Sequence, residues 1–564
     1  MIIDNLIEGE ITTQDIWNAY LCGVNYNEEQ QLADTVEENN NMYVGRQWEG
    51  IDVDGLPTIS LDITKPSVQY KIANIMSSNT KIAVKPSGLA GLTSKEQQKY
   101  ADIVNDQLDM ICERIELPDA IEKLETKTAV DGDGCWHIYW NGRIRTGQQA
   151  DGDIDVEPVR NVNVYFGNTA NNEVEEQPYI IIERREYISL LKARAKELGI
   201  DDMDIASIQI DTDNQYTITA DDNRVTVLTF YWRDYATGTI KMIECTKNVI
   251  LQEARDTGLE NYPVCWQNWE PRLNDYHGES CVSELVTNQI TINKLATMQA
   301  VSISRTAFPT IVYNSELLPG GWDNSVGAAI GVPELPNMNA KDVATTIDPA
   351  NHSSELDKFI NFLMESTMNL SGINEAVLGS INPENTSAII AVQKSSSVPL
   401  KLNEIRLHKF LQDFARIAID FMANYYGVRM INTIDEATGE EVIVPFDFSV
   451  LKNVAFNIKI EVGASSYWSE VTELQTLDNL FNKQLIYPIS YLEELPNGLL
   501  ANKNSILQKL KQRTAEANFS NNQMALETML QKSPETAAKL KDLQQRNPKA
   551  YQQVIKNLNK NIQG

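Results

Sequence analysis

Apolar side chains recur at helical spacing along much of this chain, and the points where the spacing changes divide it into parts. Ile16, Tyr20 and Val24, then Leu32 and Val36, predict helix within residues 1–45. Val68, Ile72 and Ile75 predict a second helix, giving way to an extended Lys81-Ile-Ala-Val-Lys85 ahead of Pro86. Lys95–Ile115 places Tyr100, Ile103, Val104, Leu108 and Ile111 on one face. Pro118 punctuates it, and Ile121, Leu124 and Thr128 mark a further helix leading to the turn Asp131-Gly-Asp-Gly134. From Trp136 to about Leu259 the period falls to two. Short runs rich in Tyr, Val, Ile, Thr and Trp (Trp136–Trp140, Asn161–Phe166, Tyr179–Arg184, Val225–Trp232, Ile240–Cys245) predict strands, interrupted by one helix over Tyr187–Leu198.

Helical spacing returns at Ser280–Arg305, where Val282, Leu285, Val286, Gln289, Leu295 and Met298 trace one stripe until Pro309. A stretch dense in Gly and Pro follows (Pro319, Gly320, Gly321, Gly327, Gly331, Pro333, Pro336), too long for a plain connection and read as a small structured insertion. Ser354 with Asp357 three residues on resembles a capping box, and Leu356, Phe359, Ile360 and Leu363 form the stripe of a helix ended by Gly372. A polar segment, Gly379–Ser387, precedes a long helix from Pro399 to Tyr426. Its face of Leu402, Ile405, Leu407, Phe410, Leu411, Phe414, Ile417, Ala418 and Phe421 is broad enough for burial, and Gly427 is placed to cap it. Strand-like runs at Val442–Phe446 and Ala455–Val462 follow, and from Val471 onward the pattern is helical. The fold class expected is α+β.

Composition narrows the function. At 564 residues the chain is too long for one core and implies three or four units. Its 48 Lys plus Arg against 78 Asp plus Glu give a net charge of −30, unlike a protein that grips phosphates over its whole surface. The charge is uneven: net −25 over 1–280, −4 over 281–430, −8 over 431–500 and +7 over 501–564. The basic tail (Lys503, Lys509, Lys511, Arg513, Lys532, Lys539, Lys541, Arg546, Lys549, Lys556, Lys560) is either the wet face of helices or a contact for DNA or another acidic partner. Six scattered cysteines without a C-x-x-C pair read as free thiols in a reducing compartment. No apolar run approaches the roughly 20 residues that span a bilayer, and no basic residue precedes Arg46, so a soluble cytosolic product without a secretory signal or membrane partner is expected.

No catalytic centre announces itself. The four histidines (His137, His277, His352, His408) are far apart, and P-loop, G-x-S-x-G and G-x-G-x-x-G motifs are absent from the sequence. Asp151-Gly-Asp153-Ile-Asp155 opens like a calcium loop but carries Val156 and Val162 where Gly and Glu belong, so it reads as a solvated acidic hairpin. Cys265, His277 and Cys281 match no zinc spacing and lack a fourth ligand. Tyr262, Trp266, Trp269 and Tyr276 could stack bases, but with Arg272 alone among them they read better as a core or subunit contact. No enzyme activity, metal or cofactor is expected. The rival readings are a structural adaptor or scaffold-type subunit without a DNA channel, and a Mg²⁺-dependent DNA-processing enzyme.

In its order of parts the chain resembles the portal proteins of tailed bacteriophages. Tyr43-x-Gly45-x-Gln47-Trp48, Lys65-Pro66 and Lys81–Pro86 are similar to the start of the portal wing. Gly278-Glu279-Ser280, Leu285, Asn293-Lys294-Leu295 and Arg305–Pro309 are similar to the first stem helix and the approach to the clip. Thr386-Ser387-Ala388 falls where many portals carry a Ser-Gly pair in the tunnel loop, and Ala388 departs from that pattern.

The resemblance, over about residues 30–465, implies a wing at 1–280, stem helices at 281–305 and 351–378, and a clip at 306–350. A tunnel loop at 379–397, a long helix and closing wing strands at 398–469, and a helical crown at 470–564 complete it. It further implies a homo-oligomeric ring, usually of twelve copies, at one capsid vertex of the virion and assembled in the host cytoplasm. Through the ring double-stranded DNA passes in packaging and ejection. Major capsid and scaffold proteins, the terminase large subunit and head-completion or adaptor proteins are the implied partners. An acidic wall that repels phosphates suits a conduit. Lys294 and Lys358 would then line the stem channel, and Asn382, Glu384, Asn385, Thr386, Ser387 and Lys394 the tunnel loop. Lys503, Lys509, Lys511, Arg513, Lys539 and Lys541 would form a basic crown face.

Overall fold

The computed structural model describes residues 11–52, 57–77, 80–87, 93–148, 151–211, 223–307, 310–318, 320–323, 343–347, 354–372, 398–434, 441–462, 477–483, 486–487 and 490–492. The chain divides into two compact units, Met1–Gly463 and Ala464–Gly564. In the second, residues 477–482 form a short helix, and the Phe481 and Tyr491 rings lie 4.8 Å apart. The first unit is α+β, and among the described residues no helix is long and apolar enough to cross a membrane.

Its main core surrounds one helix. Helices α1 (Thr13–Glu29), α2 (Leu32–Val44) and α3 (Thr64–Ile75) lead to strand β1 (Thr80–Pro86), and α4 (Ser94–Arg114) and α5 (Leu117–Asp131) follow. Thr12 and Asp15, and Thr93 and Glu96, close capping boxes that start α1 and α4. Strand β1 pairs antiparallel with the last strand of the unit, from Thr80 opposite Val462 to Pro86 opposite Phe456. Its other edge is occupied by Asn105 of α4, whose amide exchanges hydrogen bonds of 2.7 and 3.0 Å with the Val84 backbone. Between these elements runs a long helix, Lys401–Tyr425, which buries Leu407, Phe410, Leu411, Phe414, Ile417, Ala418, Phe421 and Met422. Phe410 and Phe414 meet the Trp136 ring edge-on at 5.0 and 5.7 Å.

A three-stranded antiparallel sheet carries Trp136 on its middle strand. Strand β2 (Asp133–Asn141) pairs with β3 (Asp153–Val159) on one side and with the later β9 (Val264–Asn268) on the other. The expected solvated hairpin at 151–155 is corrected at its second acid. Asp153 is 6% exposed, because Arg114 of α4, Tyr426 and Arg429 all converge on it.

Strands β4 (Val164–Phe166), β5 (Tyr179–Tyr187), β6 (Arg224–Arg233), β7 (Ile240–Cys245) and β8 (Ile250–Asp256) form a five-stranded antiparallel meander in chain order. Ile181, Leu228, Phe230, Trp232 and Ile243 pack beneath Ile16, Trp17, Tyr20 and Val24 of α1. Ile180, Ile182, Tyr231 and Met242 pack against Cys135, Val159, Tyr262 and Tyr276. Tyr262 and Tyr276 are fully buried and Trp269 is 6% exposed, so the aromatic stretch fills a core. Helices α6 (Ile188–Glu197) and α7 (Asp202–Ser207) cover Val225 and Val227 at the end of the sheet.

After short strands β10 (Glu270–Pro271) and β11 (Gly278–Glu279), helix α8 (Ser283–Ala307) runs 25 residues, about 37 Å. Strands β12 (Thr310–Tyr313) and β13 (Ala344–Ile347) pair antiparallel, and α9 (Ser354–Leu370) returns alongside α8. Asp357 Oδ1 accepts from Gln299 Nε2 of α8. The core helix Lys401–Tyr425 is α10. Strands β14 (Val428–Ile434) and β15 (Glu441–Asp447) form a hairpin, Phe448–Asn453 a 3₁₀ segment, and β16 (Phe456–Val462) closes the unit on β1.

Phe414→Ala removes a fully buried ring from the contact with Trp136 and should destabilise the first unit by about 3–5 kcal/mol. A denaturant midpoint unchanged from the parent would contradict the placement of α10 at the centre of this core.

Candidate functional site

The long helix pair α8/α9 is the feature that most departs from a closed globule, and its base is a buried carboxylate. Asp133, 2% exposed, opens β2 after the Asp131-Gly132 turn. Its Oδ1 accepts from the Gly278 amide at 2.6 Å and from Asn268 Nδ2 at 2.7 Å. Its Oδ2 lies 2.8 Å from His277 Nδ1 and 3.3 Å from Asn161 Nδ2. A buried carboxylate is tolerable when its lone pairs are met this fully. Two glycines let the chains approach. Gly132 sits at φ +95°, and a Cβ on either Gly132 or Gly278 would fall 2.8 Å from the other's carbonyl oxygen.

The same segment starts α8. The Ser280 hydroxyl and the Cys281 amide both donate to the Ala129 carbonyl near the end of α5, at 2.9 and 3.1 Å. Ser280 Oγ in turn accepts from the Val282 amide at 2.9 Å. Gly278-Glu279-Ser280 therefore fixes where and at what angle the helix leaves the core.

A ladder of amides then holds the first half of α8. Gln289, Asn293 and Thr297 recur every four residues on its buried side, each at most 4% exposed. They face the extended segment before α3. Gln289 accepts from the Ile63 amide at 3.0 Å and donates to the Leu61 carbonyl at 2.7 Å. Asn293 accepts from the Leu61 amide at 2.9 Å, and Thr297 from the Ile59 amide at 3.3 Å. Asn293 also donates to Gln47 Oε1 at 2.6 Å, and Gln47 donates to Asp62 at 3.0 Å. Gln47 and Asn293, from two motifs 246 residues apart, are thus direct partners.

Beyond the ladder the helices present apolar side chains to solvent. Met298 is 62% exposed, Ile303 49%, Phe359 49% and Phe362 60%. Met298 and Phe359 were expected on buried stripes, and this is a correction. In α9 the described side chains that reach the interior are Ile360 and Thr367, and the helix packs against α8. Leu402 and Ile405, expected on the buried face of α10, are likewise 61% and 54% exposed near the start of that helix.

Lys294 is exposed on the stripe of α8 that carries Glu284, Thr287 and Met298, and Lys358 is exposed beside Phe359 on α9. Neither makes an ion pair among the described residues. Asn382, Glu384, Asn385, Thr386, Ser387 and Lys394 lie outside the described residues, as do Lys503, Lys509, Lys511, Arg513, Lys539 and Lys541. The thiols are all free, and the three residues weighed for zinc have other partners. His277 meets Asp133, Cys281 meets Ala129, and Cys265 packs in the main core. Among the described residues no cluster of His, Cys, Asp or Glu could hold a metal ion.

The ladder and the Asp133 cluster were not anticipated as a site. The signal present in the sequence was three polar residues, Gln289, Asn293 and Thr297, inside an apolar helical stripe. Comparison with known protein families and with curated proteins finds no match to this chain.

A second buried acid lies beside this base. Glu125 of α5 is fully buried, and its Oε1 accepts from Gln267 Nε2 at 2.9 Å, while Oε2 has no partner among the described residues. Burial pushes its carboxyl up to about 7, against the opposing Gln267 hydrogen bond. The native state then keeps a proton between about pH 4.5 and 7 that the unfolded chain releases, so stability falls as pH rises through that window. Glu125→Gln should remove this slope, with little change at pH 5 and a gain of up to about 3 kcal/mol at pH 8. A variant less stable than the parent at pH 8 would contradict the assignment.

Proposed function

We propose that the chain is a portal-type subunit: copies form a closed ring at one capsid vertex of a tailed bacteriophage, and double-stranded DNA passes through the lumen. In this reading α8 and α9 are the stem and the β12–β13 pair belongs to the clip. The α+β body is the wing, residues 379–397 are the tunnel loop and 470–564 the crown. The ring is the docking site for the terminase large subunit and head-completion proteins, and capsid and scaffold proteins surround it. The protein is not an enzyme. It acts at the vertex of the virion after assembly in the host cytoplasm.

The observation that carries the reading is the apolar surface of the helix pair. Met298, Ile303, Phe359 and Phe362 are all about half or more exposed on two helices that cover each other along one stripe only. Large exposed apolar side chains gathered on one element mark a surface that another protein covers. In a ring each helix pair lies between two neighbours, and a heterologous contact of this kind closes by rotation. The net charge of −30 supports a conduit, since an acidic wall lets a polyanion slide instead of holding it. Lys294 and Lys358, without ion pairs among the described residues, supply shallow contacts to phosphates in the stem.

Phe362→Asp tests this directly. Phe362 is 60% exposed, so the substitution should change the stability of the isolated subunit by no more than about 0.5 kcal/mol. Sedimentation should show the parent as a ring-sized particle and the variant as a subunit. A variant that assembles like its parent would remove the helix pair from the interface, and an assembled particle without a lumen would favour the adaptor reading.

A further inference from the structure

The first unit holds a cleft of about 870 Å³ beside the C-terminal half of β2. It lies between β2, the inner face of the five-stranded sheet, α6 and the C-terminal end of α10, and its volume is within the range of small-molecule sites. Among the described residues three side-chain atoms that line it are buried without a hydrogen-bond partner, His137 Nδ1, Arg184 Nε and Gln252 Oε1, while the rest of the Arg184 guanidinium is taken by Thr229 at 3.0 Å and Glu157 at 3.7 Å. His137 is 2% exposed. Its Nε2 is 2.9 Å from the Tyr231 hydroxyl, while Nδ1 is 3.9 Å from Glu157, beyond hydrogen-bonding reach. Buried polar atoms are almost always paired, so three unpaired ones in one cleft mark the place of a missing partner.

The backbone is bent to build this wall. Met242 faces Arg255 and Glu244 faces Gln252, a register that needs an extra residue in β8 between the two pairs. Without that bulge Gln252 and Arg255, three residues apart, would point to opposite faces of the sheet. With it both join Met242 and Glu244 on the cleft side. Arg194 is already committed to Glu244 through two hydrogen bonds of 3.0 and 2.7 Å. Arg143 and Arg255 are exposed and make no ion pair among the described residues. The uncommitted guanidinium groups of Arg143 and Arg255 therefore line the same cleft as Trp140, Phe421 and Tyr425. Trp140 and Tyr425 are themselves stacked, with centroids 5.5 Å apart.

We propose that this cleft binds a nucleotide, its phosphate on Arg255 and its base beside Trp140 and Tyr425. Guanidinium forks match phosphate oxygens, and a flat heteroaromatic ring packs against half-buried aromatic side chains such as these whatever its sequence. His137 Nδ1 and Gln252 Oε1 give the ligand one further polar contact each. The site is separate from the helix pair and does not rest on ring formation.

The test uses the full chain with adenosine 5′-monophosphate, adenosine and inorganic phosphate in parallel, read by isothermal titration and by quenching of tryptophan fluorescence. The monophosphate should bind saturably and quench, and phosphate or adenosine alone should bind at least tenfold more weakly. Arg255→Ala, at an exposed side chain, should leave the melting temperature unchanged and weaken the monophosphate at least tenfold. Absence of saturable binding up to millimolar monophosphate would overturn the proposal. So would binding that Arg255→Ala leaves unchanged, or phosphate binding as tightly as the monophosphate.

Discussion

Asp133 is the point on which the first unit depends. One carboxylate, buried where water cannot serve it, gathers the Gly278 amide, the Asn268 amide, His277 and Asn161. These partners belong to β9, to the turn before β4 and to the segment that starts α8, so the three-stranded sheet and helix α8 are registered against the same two oxygens. A buried carboxylate stripped of any of these donors is left with an unmet lone pair, at a typical cost of about 1–3 kcal/mol. The close approach of Gly132 and Gly278 is the steric half of the same constraint. Together they decide that α8 leaves the core at a fixed place.

The amide ladder extends that control along the helix. Gln289, Asn293 and Thr297 take their partners from the backbone of residues 59–63, so the first half of α8 is held by hydrogen bonds that tolerate only one register. An apolar seam could slide by a turn, whereas amide pairs cannot without leaving buried groups unmet. Farther along, Gln299 of α8 bonds Asp357 of α9, and Met298, Ile303, Phe359 and Phe362 of the pair face outward. A rigid root with a sticky shaft is what the proposed ring requires, since each subunit must present its neighbour with the same surface at the same angle.

Much of this fold was legible from period alone. The helices over residues 94–114, 283–307 and 401–425 and the strands at 179–187, 224–233 and 240–245 follow apolar spacing closely, because each buries one face over most of its length. Strand β3 was misread because its charges signal solvent, yet Arg114, Tyr426 and Arg429, brought from distant parts of the chain, neutralise Asp153 in the interior. Met298, Phe359, Leu402 and Ile405 were misread for the converse reason. Spacing shows that a side chain is apolar and on a given face, and it does not show whether the covering surface belongs to the same chain. The pairing of β1 with β16, from opposite ends of the unit, left no local signal at all, and neither did the bulge in β8. Of the expected site residues the structure places Lys294 and Lys358 on the exposed helix pair, and the base of that pair was visible only as a Gly-Glu-Ser motif without a reason.

Negative-stain microscopy of the purified protein, with and without a scaffold protein, tests the central claim most directly. The account predicts closed rings of about twelve subunits with an open central lumen. Single subunits or compact particles without a hole, under both conditions, would contradict it.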